Sequence, residues 1–183
     1  ATASYQDRDL TGIGLSENDL SGGDFAGQNL TNANFRLATL IDANFRYANL
    51  TNADFIAAML TGANFTGAEV RGTRFVDVTS RGFTAAQLYA TASYQAHDLT
   101  GIYLSLNDLS GWNFADQNLT NAPFGSATLT GTDLTGAATR GAALSNSNLA
   151  SAATDNLIRP DGRVIALDLP AGKQLVVRDY DGG

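Results

Sequence analysis

The 183-residue sequence contains no cysteine. That excludes a disulfide framework, a thiolate nucleophile and a cysteine metal site. It has one histidine, His97, which excludes a histidine pair for a metal, and no Ser/His/Asp arrangement can be argued around it. Charged residues make up only 16% of the chain, against about 25% in an average soluble domain. Ser, Thr, Asn, Gln and Gly stand in their place. The charge that remains is acidic, a formal net of −7, which disfavours nucleic acid and anionic membranes as partners. No stretch approaches the roughly 20 apolar residues of a membrane span, so no membrane insertion is expected.

What the chain does have is a period of five. From Leu10 a large apolar residue recurs at every fifth position: Leu15, Leu20, Phe25, Leu30, Phe35 and so on to Val70 and Phe75. A second series runs from Leu99 to Thr154. Neither the helical period of 3.6 nor the strand period of 2 generates this spacing. The position two before each centre is alanine without interruption from Ala33 to Ala68. The position just before the centre is often Asn or Asp, and the one just after is often Thr or Ser.

Stretches such as ANFRL, ANLTN, ADFIA and ANFTG resemble the pentapeptide-repeat family, whose motif is A(D/N)LXX. The resemblance covers roughly residues 8–157. It implies an all-β fold, a right-handed quadrilateral β-helix whose coils each take four pentapeptides, with the centre and the small residue two before it turned inward. The order of the centres agrees with that coil. Leu and Phe alternate strictly from Leu20 to Phe65, so a 20-residue coil stacks Phe25, Phe45 and Phe65 on one wall. Phe35, Phe55 and Phe75 then stack on the opposite wall. These rings read as core, and no cofactor is expected.

The two series are out of phase, which divides the chain. Residues 1–80 form a first module, 81–98 a helical inter-module segment, 99–157 a second module and 158–183 a β-hairpin cap or tail. Thr84 to Gln87 is a capping box, flanked by Phe83 and Leu88 as a hydrophobic staple, so Ala85 to Ser93 is expected to be a short helix entered through Gly82. In the tail, RVIALDL and KQLVVRD read as strands joined at PAG. Residues 1–35 and 90–124 align without gaps and match at 27 of 35 positions, an internal duplication with an offset of 89. Against that alignment the chain reads as a trimmed piece of a longer modular protein, its first module lacking an N-terminal cap.

Chemistry is hard to assemble from these residues. His97 corresponds to Arg8 in the duplication and reads as a solvated surface site. Asp19, Asp24, Asp54 and Glu69 fall on outward positions, and flat solenoid walls offer no cleft to pair carboxylates for acid/base work. No catalytic, cofactor-binding or metal residue is therefore assigned. The candidate functional residues are contacts instead. Gly14, Glu17 and Gly23 of the first module become Tyr103, Leu106 and Trp112 in the second. These three large apolar groups are expected to be buried against the inter-module helix. The first coil, around Tyr5 and Leu10, is expected to lack such cover and to offer a surface for other proteins, including further copies of the chain.

The resemblance implies two functions. One is DNA mimicry, in which acidic solenoids bind type II topoisomerases. About 6.5 coils at roughly 4.8 Å make a rod near ~31 Å. Duplex DNA of that length carries about 18 negative charges. Residues 1–157 hold 14 acids and 7 bases, and Arg36, Arg46 and Arg71 interrupt the walls. The mimicry is poor. The other function, preferred here, is a non-catalytic structural or protein-interaction rod. The stretch GFTAAQLYATASYQ and the β-rich tail are similar to secreted, modular pentapeptide-repeat proteins of planctomycete type. That similarity implies an extracellular or cell-surface location.

Overall fold

The computed structural model describes residues 3–155 together with Leu157 and Ile158. Apart from Ile158, the expected hairpin lies outside the described residues. Each pentapeptide contributes one bridging residue, the one before its centre, and pairs it in parallel with the residue one coil on. One wall runs Asp9, Asn29, Asn49, Glu69, and another runs Gly14, Asn34, Asp54, Arg74. The hydrogen bonds are those of a parallel ladder one residue wide. The Leu30 N–H donates to the Asn49 carbonyl at 2.7 Å, and the Asn49 N–H donates to the Gln28 carbonyl at 2.9 Å.

The corners explain the rest of the motif. At most of them, the N–H of the residue three after a centre donates back to that centre's carbonyl, as Ala33 does to Leu30 at 2.9 Å. The residue between them takes a positive φ, 58° at Asn32, which is the signature of a type II turn and favours Gly or Asn. The Asn or Asp before the centre secures the opposite end of the same turn. The Asn49 carboxamide oxygen accepts both the Thr51 N–H at 3.1 Å and the Thr51 hydroxyl at 2.7 Å. Alanine is usual two before the centre, where the chain turns inward, and Ala33, Ala38, Ala43 and Ala48 are fully buried there.

The interior is an aromatic stack. Phe25, Phe45 and Phe65 lie parallel at 5.1 and 5.2 Å between ring centres, and Phe35, Phe55 and Phe75 at 4.9 and 5.3 Å. The two stacks also touch each other edge to face, Phe45 against Phe55 at 5.5 Å. Both contact geometries suit the ring quadrupole and add about 0.5–1.5 kcal/mol per pair to simple burial.

The two modules form one stack, because Arg74 bridges directly to Tyr103. That step spans 29 residues, as does the neighbouring bond between Val78 and Asn107, where an ordinary coil takes 20. The surplus forms a 3₁₀ turn at Thr79–Arg81 and two short helices, α2 (Ala85–Tyr89) and α3 (Ala92–Gln95). A matching helix, α1 (Ala3–Gln6), precedes the first coil. The single helix expected from Ala85 to Ser93 is thus corrected to two. Its interruption has a cause beyond the local sequence: the Ala90 carbonyl accepts from Gly67 N–H at 2.8 Å, and the Ala92 N–H donates to the Ala68 carbonyl at 2.9 Å. The coil below takes backbone groups that a continuous helix would have used. Thr91 then caps α3 through its hydroxyl, which accepts the Tyr94 N–H.

Candidate functional site at the joint between modules

The joint begins with a turn that only glycine allows. Gly82 has a φ of 93°, and a Cβ there would sit 2.7 Å from the backbone of Thr61. Next comes the capping box. Gln87 accepts the Thr84 N–H at 2.7 Å, while the Thr84 hydroxyl accepts the Gln87 N–H. The Gln87 amide also donates to the Leu60 and Ala63 carbonyls, both at 2.8 Å, which pins α2 to the last regular coil. The staple residues Phe83 and Leu88 are both buried. Phe83 stacks on Phe75 at 4.5 Å, extending the phenylalanine stack out of the repeat.

Trp112 continues that stack. It lies 8% exposed, 6.0 Å from Phe83 and 6.2 Å from Phe114, with the Tyr89 ring edge-on at 6.3 Å. Tyr103 and Leu106 do not join it. Tyr103 is 38% exposed, its ring under the Arg74 guanidinium at 5.3 Å, and Leu106 is 58% exposed. The expected burial of these two is overturned because the five-residue period, not hydrophobicity, sets direction. Tyr103 bridges on a wall, and Leu106 sits on a corner with φ 63°, so both point out.

Asn107 does the work at the joint that was expected of those two residues, and it was not singled out in the sequence. It occupies the inward position two before Leu109, where alanine is usual. Its side-chain oxygen accepts the Val78 and Thr79 N–H groups at 2.9 and 3.0 Å, and its amide donates to the Phe75 and Leu104 carbonyls at 2.6 and 3.0 Å. A polar amide at an inward repeat position was the signal that could have found it. Its counterpart Asn18 is exposed and reaches only the Ser16 carbonyl.

The joint also opens a cleft, which corrects the expectation of uniformly flat walls. About 650 Å³ of space lies between the Asp77–Ala85 segment and the coil above it, bordered by Ser80, Phe83, Leu106, Asp108, Trp112 and Thr128. Ser110, through its hydroxyl and then its backbone N–H, holds the Asp108 carboxyl below its ordinary range. Asp77 is paired with Arg81 at 3.2 Å.

At the first coil, Leu10 is 8% exposed and Tyr5 is partly buried, its hydroxyl donating to the Asp24 carbonyl at 2.9 Å. Tyr94 of α3 makes the same bond to Asn113. Burial, then the nearby Tyr89 and Asp133, push the Tyr94 phenol up to about 12. So α1 does cover one side of this coil, contrary to the expectation of a bare end. The remaining side is open: the N–H groups of Gly14, Asp19 and Asp24 have no partner among the described residues. Their counterparts are bonded across the joint, Tyr103 to the Thr73 carbonyl, Asp108 to the Thr79 hydroxyl and Asn113 to the Tyr89 hydroxyl.

His97 is exposed, and Asp54 lies between Arg36 and Arg74 at 3.7 and 3.4 Å. Arg71 reaches both Glu69 and Asp98. Among the described residues no group of His, Asp or Glu is placed to hold a metal ion, and no helix is long and apolar enough to cross a membrane.

Comparison with known proteins places this geometry. The family model described as pentapeptide repeats matches residues 9–46, 38–75 and 98–136. No curated protein sequence matches the chain. Among solved structures it is similar to HetL, a pentapeptide repeat protein involved in heterocyst differentiation regulation in the cyanobacterium Nostoc. The identity is 24%, over 85% of this chain and 78% of that one, with a TM-score of 0.28. A trypsin-treated form of QnrB1, a plasmid-mediated fluoroquinolone resistance protein, is 20% identical over 81% and 80%, with a TM-score of 0.39. A pentapeptide repeat protein of the Arabidopsis thaliana thylakoid lumen is 22% identical over 66% and 67%, with a TM-score of 0.28. Likenesses at these scores carry nothing about activity.

Proposed function

The chain belongs to the pentapeptide-repeat family, and from that premise we infer that it is a non-catalytic structural and protein-interaction rod, one segment of a larger exported modular protein. The observation that carries this reading is the continuity of the two modules. Phe83, Trp112 and Asn107 fill the break in the repeat, so that the stack passes through it. A chain that only needed separate binding modules would not require a buried aromatic and amide joint between them. Export rests on the resemblance of the joint and tail sequences to secreted family members.

Mimicry of DNA is disfavoured by where the acids lie. Asp54, Glu69, Asp77 and Asp98 each stand within 4 Å of an arginine, which interrupts a phosphate-like row of acids at those positions. Added protein should leave gyrase supercoiling unaffected at micromolar concentration, and inhibition below that would reverse this ranking. End-to-end association belongs to the same reading, because the donors that the joint uses have no partner at the first coil among the described residues. Light scattering across a concentration series tests it, with a mass fixed at one chain as the result that ends it.

A further inference from the structure

The cleft at the joint sets unpaired hydroxyls and a carboxylate beside an exposed apolar side chain. Ser80, Ser126 and Thr128 border it, and their hydroxyls make no hydrogen bond among the described residues. Asp108 uses one carboxylate oxygen on Ser110 and has the other free. The apolar part that solvent reaches is Leu106, with Trp112 8% exposed behind it and Phe83 buried beneath. Leu106 replaces Glu17 of the first module and stays mostly exposed, so packing does not account for the exchange. Both Leu106 and Trp112 are among the few positions at which the duplicated segments differ, and both border the cleft beside the inserted segment.

We propose that this cleft is a binding site for a neutral saccharide. Its chemistry selects that class. An anion would meet the Asp108 carboxylate, with Asp77 beside it, in a chain of net charge −7. A hydrocarbon would leave the Ser80, Ser126 and Thr128 hydroxyls without partners. A sugar ring carries both faces needed: C–H groups to lie on Leu106 and the small exposed margin of Trp112, and a rim of hydroxyls that donate to Asp108 and exchange bonds with the serine and threonine hydroxyls. The volume lies in the range that holds a small organic ligand. The site is separate from the coil end, and the proposal does not depend on how the rod associates.

Trp112 is the only tryptophan, so its fluorescence reads the cleft directly. The full chain is titrated with cellobiose, maltose and diacetylchitobiose, with glucuronate and choline as charged comparators. At least one neutral sugar should shift Trp112 emission saturably. Replacing Ser126→Ala together with Thr128→Val should weaken that binding about tenfold, as expected for two lost neutral hydrogen bonds. Leu106→Ser should weaken it, whereas Leu37→Ser, an equally exposed corner leucine away from the cleft, should not. No response to any neutral sugar overturns the proposal. So does a response indifferent to these substitutions, or a preference for choline that salt abolishes.

Discussion

Replacing Asn107 by alanine tests how the two modules are held together. The substitution removes the acceptor of the Val78 and Thr79 N–H groups and the donor to the Phe75 and Leu104 carbonyls. Val78 and Phe75 are fully buried, so their groups have the least access to water. Each buried group left unpaired costs about 1–3 kcal/mol, so two give about 2–6 kcal/mol. The space vacated by the amide admits a water with polar partners, which recovers part of that loss. A cost of about 3 kcal/mol is therefore expected. Asn18→Ala is the internal control, because the duplicated residue is exposed and makes one bond to Ser16; it should cost under about 0.5 kcal/mol. Urea unfolding followed by Trp112 fluorescence reads the joint, and far-UV circular dichroism reads both modules. Stacked repeats can unfold piecewise, so in Asn107→Ala the tryptophan transition should move to lower urea than the dichroism transition. If the two alanine variants unfold alike, the joint is not held by this amide.

Phe45→Ala should cost about 3–5 kcal/mol in the same assay, since its ring is fully buried between Phe25 and Phe65. A cost under about 1 kcal/mol would show that the stack contributes little. Thr84→Ala should lose about 1 kcal/mol with the cap of α2, and exchange at the Gln87 amide should speed up. The pH dependence has a sign at each end. The raised Tyr94 phenol contributes stability below pH 10 that is lost as pH climbs toward 12, so alkaline melting should be relieved in Tyr94→Phe. The lowered carboxyls of Asp108 and Asp133, each held by a Ser or Thr hydroxyl, contribute stability above pH 3.8 that is lost on further acidification. Thermal melts between pH 2 and 5 that show no decline would contradict it.

Much of the fold was legible because the repeat leaves each residue little choice. A centre such as Phe55 and an alanine such as Ala53 can only point inward once the corners recur every five residues, and both are fully buried. The capping box at Thr84 was equally legible, since its partner is three residues away. Legibility failed where a residue answers to a distant partner. The interruption between α2 and α3 depends on Gly67 and Ala68, more than 20 residues back. Asn107 answers to Val78 across the joint, at a separation of 29 residues. Tyr103 and Leu106 failed differently: large apolar side chains suggested burial, but their places on a wall and a corner fixed their direction outward. The cleft follows from the overhang of an inserted segment, which no periodicity encodes.

Of the four walls, one alone carries a main-chain bridge straight across the joint, from Arg74 to Tyr103. The rest of the joint is held by way of the inserted segment, through Ser93, Thr79, Tyr89 and Ala90, and by direct bonds of Gly72 to Thr100, Asp77 to Ser105 and Asn107 to Phe75 and Val78. Mechanically the rod is therefore not a uniform beam. Along the Arg74 side the two halves are joined as stiffly as any two neighbouring coils. On the other sides they are joined through the inserted segment, partly by side-chain bonds, and should yield there first. Bending should concentrate at this level and in a fixed plane, with the bridged wall as the inextensible line about which the far side opens. Any such bend would change the width of the cleft before it disturbed a single coil.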